Sequence, residues 1–138
     1  MYHKVIIVGN LGGDPTMRYT NDGTPVTSFS VAVNEVRGDR ESGEQQKRTI
    51  WWRVSVWRKQ AEICNQYLSK GRTVLVEGTM NADPQTGGPR IWTGQDGQPR
   101  ASFEMTGHTV RFLGGRSPDA GAGGSGDALP NSEDDLPF

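Results

Sequence analysis

A chain of 138 residues has room for one domain of ordinary size, and its 19 glycines and 8 prolines, set between short β-branched runs, favour strands joined by turns over long helices. The net charge of -1 conceals a basic body, with 15 Lys and Arg against 11 Asp and Glu over residues 1–116, and an acidic end, with 5 acids and no base over residues 117–138. The lone Cys64 excludes an intramolecular disulfide, no stretch approaches the roughly 20 apolar residues that cross a bilayer, and no N-terminal run is ordered like a signal peptide, so a cytoplasmic setting without a membrane role is expected.

Residues 4–8 form a compact β-branched run that predicts a strand, which the glycines and proline of residues 9–15 are expected to end in a loop. Residues 26–34 alternate. Phe29, Val31 and Val33 share the expected core face with Thr27, and Val26, Ser28, Ser30 and Ala32 share the other. Residues 35–47 are dense in charge and contain no large apolar side chain except Val36, so a long solvated hairpin loop is expected. Residues 48–58 predict a second long strand. Residues 60–70 predict the one helix, because Ala61, Cys64, Tyr67 and Leu68 recur at helical spacing before Gly71. Residues 72–80 are again β-branched. After a turn over residues 81–84, residues 90–93 and 101–112 flank a polar segment whose Asp96-Gly97 pair suits a tight turn. About five strands, with a helix between the third and fourth, describe an all-β Greek-key barrel plugged at one end. Beyond Phe112 the chain turns to Gly, Ala, Ser, Asp and Pro and cannot bury enough apolar surface to order itself. The tip, residues 132–138, returns two large apolar side chains beside three carboxylates.

The chemistry concentrates in residues 50–59. With a period of two, Trp51, Arg53, Ser55 and Trp57 share one face while Trp52, Val54 and Val56 share the other. Indole rings on a solvent face either stack on flat nucleobases, with guanidinium groups between them for phosphates, or pack beneath a loop or in a subunit contact. Trp92, between Arg90 and Arg100, repeats the aromatic and basic pairing and could equally close the barrel rim. Lys47, Arg48, Arg58, Lys59, Lys70 and Arg72 cluster at element ends, as a phosphate track would. Catalysis has no comparable support. His3, His108 and Cys64 lack every zinc spacing, so no metal or cofactor is expected, and the glycines of residues 9–13 lack the Gly-Lys-Ser/Thr ending of a phosphate loop. An enzyme acting on a phosphorylated ligand would rest on that glycine loop alone.

Nearly the whole chain resembles the bacterial single-stranded DNA-binding proteins. The likeness rests on residues 4–15, Arg18-Tyr19, residues 49–59, Ala61-Glu62 with residues 67–71, Val76-Glu-Gly78, Trp92-Thr-Gly-Gln95 and the terminal Asp134-Asp-Leu-Pro-Phe138. The resemblance implies an OB fold, a five-stranded Greek-key barrel with one short helix, long β-hairpin loops and a disordered C-terminal tail. It implies three parts: a DNA-binding domain over residues 1–113, a flexible linker over 114–131 and an acidic protein-interaction tip over 132–138. It further implies a homotetramer, nucleoid-associated in the cytoplasm, that holds single-stranded DNA without sequence preference and without enzymatic activity during replication, recombination and repair. Trp51, Trp57 and Trp92 fall at the family's stacking positions, and Trp52 falls near its subunit contact. Arg53, Lys4, Lys47, Arg48, Arg58, Lys59, Lys70, Arg72 and Arg90 would line the DNA path. Asp134, Asp135, Leu136, Pro137 and Phe138 would recruit replication, recombination and repair proteins, the Phe138 ring entering an apolar pocket rimmed by basic side chains. Two departures stand out: Val36 replaces a frequent tryptophan, leaving Arg37 and Arg40 nearby, and residues 81–89 are longer and richer in Gly and Pro than the usual hairpin. An RNA chaperone of the OB type could use the same aromatic face.

Overall fold

A computed structural model describes residues 1–114, so the tip, and the linker beyond Gly114, lie outside the described residues. Strand β1 (Val5–Leu11) is followed by β2 (Thr16–Tyr19), β3 (Pro25–Gly38), β4 (Gln45–Trp57), helix α1 (Lys59–Tyr67), β5 (Thr73–Met80), a small hairpin of β6 (Ile91–Thr93) and β7 (Pro99–Ala101), and β8 (Phe103–Leu113). The sheet runs β1-β5-β8-β4-β3-β2, and β1 pairs a second time with β3 through Asn10↔Ala32 and Leu11↔Val31. That second pairing closes five long strands into the expected OB barrel, leaving no long exposed edge inside the ring. All barrel pairings are antiparallel except β4 with β8.

The interior is built by alternation. Phe29 and Val31 of β3, Val54 and Val56 of β4, Val74 and Val76 of β5 and Met105 of β8 are all buried in one cluster. The helix covers one end of the barrel with Ala61 and Cys64, and the buried Thr27 hydroxyl donates to the Ala61 carbonyl at 2.6 Å, fixing α1 to β3. Burial pushes the Cys64 thiol up to about 12, leaving it protonated at neutral pH.

Four expectations from the sequence are corrected. The first strand does not stop before Gly9 but continues to Leu11. At Gly9 the backbones of β1 and β3 pass so closely that any Cβ would collide with the Ala32 carbonyl, so the glycine permits the closure instead of ending the strand. The helix ends at Tyr67, three residues early, because Leu68 turns extended and buries its side chain in the core. Residues 35–38 and 45–47 are not loop. They extend the β3–β4 ladder from Glu35↔Arg48 to Gly38↔Gln45, leaving 39–44 to turn. This projecting ribbon holds by backbone pairing, by the Arg48–Glu35 ion pair at 2.7 Å and by the Thr49 hydroxyl donating to Asn34 at 2.8 Å, so it needs no apolar face. Finally, β2 is a strand that four residues without clear alternation did not announce.

Candidate nucleic-acid interface

Cross-strand register decides the shape of the outer face of β4. Trp51 lies opposite Ala32, Arg53 opposite Ser30, Ser55 opposite Ser28 and Trp57 opposite Val26. Trp51 and Arg53 on β4 therefore stand beside the small Ala32 and Ser30 on β3, and the difference in height makes a trough, whereas Trp57 lies beside the buried Val26. Trp51 is 53% exposed, Trp57 43% and Trp92 39%. By contrast Trp52 turns inward onto the core, where its ring sits 5.4 Å from that of Phe103.

Three grooves follow this face. One of about 430 Å³ is lined by Ser30, Trp51, Trp52, Arg53, Arg90, Trp92 and Ser102. The β6–β7 hairpin thus brings Trp92 and Arg90 against Trp51 and Arg53, which lie some forty residues earlier in the chain. The Arg90 guanidinium carbon lies 5.5 Å from the Trp92 ring centroid while its Nη2 reaches Glu104 at 3.1 Å, an arrangement that presents ring and cation together. A second groove, of about 240 Å³, shares Ser30 and Arg53 with the first and runs on past Ser28 to Arg18, Thr16 and Gly13. The third, of about 410 Å³, holds Trp57 and Arg58 with Thr20, Asp22 and Thr24. Trp51 and Trp57 are six residues apart on one strand, about 20 Å at 3.3–3.4 Å per residue.

Local backbone geometry sets two of these side chains. The Trp51 ring lies on Gly12, whose amide donates to the Ser30 carbonyl at 3.0 Å; a Cβ there would come within 2.5 Å of the indole Cζ3. The six-membered ring of Trp51 is therefore seated against the backbone at Gly12 while about half of the residue stays open to a ligand. Gly12→Ala is expected to tilt the ring out of place and weaken single-strand binding about tenfold, with tryptophan emission in the free protein shifted. Unchanged affinity would show that the ring's seat on Gly12 is unimportant. Arg58 has φ 61 and ψ -133, the only left-handed φ of any non-glycine residue among the described residues. Its amide donates to the Pro25 carbonyl at 2.9 Å and its carbonyl accepts from Glu62, which holds a conformation that costs an L residue about 1–3 kcal/mol.

Of the residues expected from the sequence, the structure brings Trp51, Trp92, Arg53 and Arg90 together, with Trp57 further along β4 and Arg58 just beyond its end. Lys4, Lys47, Arg48, Lys59, Lys70 and Arg72 line none of the three grooves. Lys4 pairs with Glu77 at 3.1 Å, and the hydrogen bond and charge of that carboxylate raise its pKa. Lys47 and Arg48 stand on the ribbon opposite Val36 and Glu35. Lys59 opens the helix. Lys70 and Arg72 follow the helix, where the Lys70 amide donates to Asp14 and the Arg72 carbonyl accepts from Leu11, so their backbones knit the barrel rim. Val36 is exposed on the ribbon. Neither Asp22 nor Arg18 was expected at the site, Arg18 having entered only as part of the family likeness; its place becomes visible once β2 is known to pair with β3 beside β4. Among the described residues no group of three or more His, Cys, Asp or Glu side chains could hold a metal ion, and no helix is long and apolar enough to cross a membrane.

The sequence profile of the Single-strand binding protein family matches residues 2–113. A Single-stranded DNA-binding protein of Xylella fastidiosa strain Temecula1 is 42% identical over 125 residues, covering 91% of this chain and 71% of the relative. Single-stranded DNA-binding protein 1 of Xylella fastidiosa strain 9a5c is 36% identical, with 96% and 94% covered. A Single-stranded DNA-binding protein of Neisseria meningitidis serogroup A is 39% identical over 86% of this chain, which spans only 64% of that relative. Among solved structures, the Plasmodium falciparum SSB complex with ssDNA superposes with a TM-score of 0.67 at 29% identity, covering 82% of this chain and 96% of the other.

Proposed function

The chain belongs to the single-strand binding protein family, and from that premise we propose that it binds single-stranded DNA without sequence readout along most of its path and without catalysis. The observation that carries this reading is the groove in which the half-exposed rings of Trp51 and Trp92 stand beside Arg53 and Arg90. Unpaired bases have two free faces to stack, at about 1–3 kcal/mol each, whereas paired bases in a duplex are already stacked and shielded. Arg53 and Arg18 continue the cationic surface, and Trp57 with Arg58 forms a further station. Lys4, Lys47, Arg48, Lys59, Lys70 and Arg72 lie outside these grooves and would meet DNA only where it wraps round the barrel.

In this proposal residues 1–113 hold DNA and the chain assembles as a homotetramer in the cytoplasm, on DNA exposed during replication, recombination and repair. Residues 114–131 act as a spacer that lets residues 132–138 recruit partner enzymes, with Phe138 as the apolar anchor and Asp134 and Asp135 steering it to basic pockets.

The test is a set of anisotropy titrations with matched single-stranded DNA, duplex DNA and RNA oligomers. Four arginines neutralising four phosphates give a salt slope of about -3, so affinity for the single strand should fall about 50-fold between 50 and 200 mM salt. DNA is expected to bind far more tightly than its duplex. Equal affinity for duplex would overturn the reading, and preference for RNA would replace DNA with RNA as the ligand.

A further inference from the structure

The groove around Trp57 contains a negative charge that the fold does not require. Residues 20–24 form a tight turn in which the Thr20 amide donates to Thr24, the Gly23 amide donates to Thr20, and Gly23 adopts φ 84. Asp22 supports this turn: Oδ1 accepts from the Thr20 hydroxyl and from the Thr24 amide. These hydrogen bonds, the Thr20 hydroxyl first, hold its carboxyl below the usual carboxylate range, so it is ionised at neutral pH. The Thr24 side chain also hydrogen-bonds the carboxylate, while no ion pair reaches Asp22 among the described residues. An asparagine would make the same turn through its own Oδ1, so the turn accounts for the shape of Asp22 and not for its charge.

On a surface that attracts phosphates a carboxylate without an ion pair is unfavourable unless it meets a further donor. Asp22 lines one groove with the exposed ring of Trp57 and with Arg58, whose guanidinium makes no ion pair among the described residues. The two elements are tied together, since the Arg58 amide donates to Pro25 immediately after the turn. A base stacked on Trp57 would present its hydrogen-bonding edge within this groove. Cytosine, adenine and guanine carry an exocyclic amino group there, an open donor for a carboxylate oxygen, whereas thymine offers only an imide N–H flanked by two carbonyl oxygens that a carboxylate repels.

We propose that Asp22 gives the Trp57 station a base preference, favouring a base with an exocyclic amino group over thymine, while Arg58 holds the adjoining phosphate. The inference rests on the single-strand reading above and adds one selective position to an otherwise indifferent path. It differs from a general electrostatic role, in which the carboxylate would weaken every strand equally.

The experiment compares full-length wild type and Asp22→Asn for affinity to dC and dT homo-oligomers of equal length at neutral pH, with melting temperature measured alongside. Intrinsic differences between the two polymers cancel in the comparison. The ratio of dC to dT affinity should fall at least about threefold in Asp22→Asn with the melting temperature unchanged, because an amide keeps the turn and can donate to thymine. In a Trp57→Ala background the same substitution should leave the ratio unaltered. An unchanged ratio, with both affinities raised together, would overturn the proposal in favour of simple repulsion. An unchanged ratio with a lowered melting temperature would overturn it in favour of a structural role. If wild type bound neither oligomer, the single-strand reading itself would fail instead.

Discussion

Trp51→Ala is expected to weaken binding to oligo-dT by about 5- to 150-fold, the range that follows from 1–3 kcal/mol of stacking per base and 1.4 kcal/mol per factor of ten. The melting temperature should hardly move. The Trp51 ring sits beside Gly12 and is half exposed, so its loss removes little buried surface from the folded chain. Its neighbour provides the contrast. Trp52, partly buried, packs against the core and against Phe103, and Trp52→Ala should cost about 1–3 kcal/mol of stability through lost packing. The two adjacent tryptophans thus separate binding from folding: titration and thermal melting should give opposite orders of severity. If Trp51→Ala unfolded the protein while binding persisted in the folded fraction, the outer face of β4 would be an interior surface and not a binding one.

Gly78→Ala is expected to destabilise the barrel by about 3 kcal/mol or more, lowering the melting temperature by about 10–15 °C. The reason is local. At Gly78 the β5–β8 register shifts after Glu77, and a Cβ would collide with the carbonyl oxygen of Thr106. No rotamer change can relieve that contact, because the obstacle is backbone, and moving β8 would displace Met105 from the core cluster. Gly38→Ala is the matched control: it has open space around the new methyl group and an ordinary φ, so its melting temperature should stay within about 2 °C of wild type. Thermal unfolding followed by circular dichroism distinguishes the two. A Gly78→Ala protein that melted like wild type would mean that the β5–β8 junction yields more easily than its geometry implies.

The face carrying Trp51, Arg53, Ser55 and Trp57 was legible in the sequence because a strand writes its two faces as alternate letters, and here one set of letters is aromatic and basic while the other is apolar. Helix α1 was legible for the same reason at a different period. The ribbon formed by residues 35–38 and 45–47 was not, since both of its faces are solvated and the alternation that reveals a strand depends on one face being buried. Gly9 misled in a related way. Glycine ends strands where a turn is needed, but it also permits strands to cross closely, and only the barrel's closure shows which applies.

The site itself was half legible. Residue type identified the rings and the cations, yet it could not say which cations share a groove with a ring. Arg90 does so while paired with Glu104, whereas Lys4 and Arg48 sit with Glu77 and Glu35 away from the trough. Partners of this kind lie 13 or more residues apart in the chain and are set by strand register. Asp22 and Gly12 were not expected at the site because their contributions, a carboxylate without an ion pair beside Trp57 and the absence of a side chain against an indole, exist only in three dimensions.

The emission of the four tryptophans during titration with oligo-dT tests the stacking account most directly, with anisotropy of a labelled strand recorded in the same samples. Quenching that rises in step with anisotropy, saturates with it and reverses as salt is added is the predicted result. A complex that formed fully by anisotropy while emission stayed constant would show that the strand is held without touching the indoles, and would contradict it.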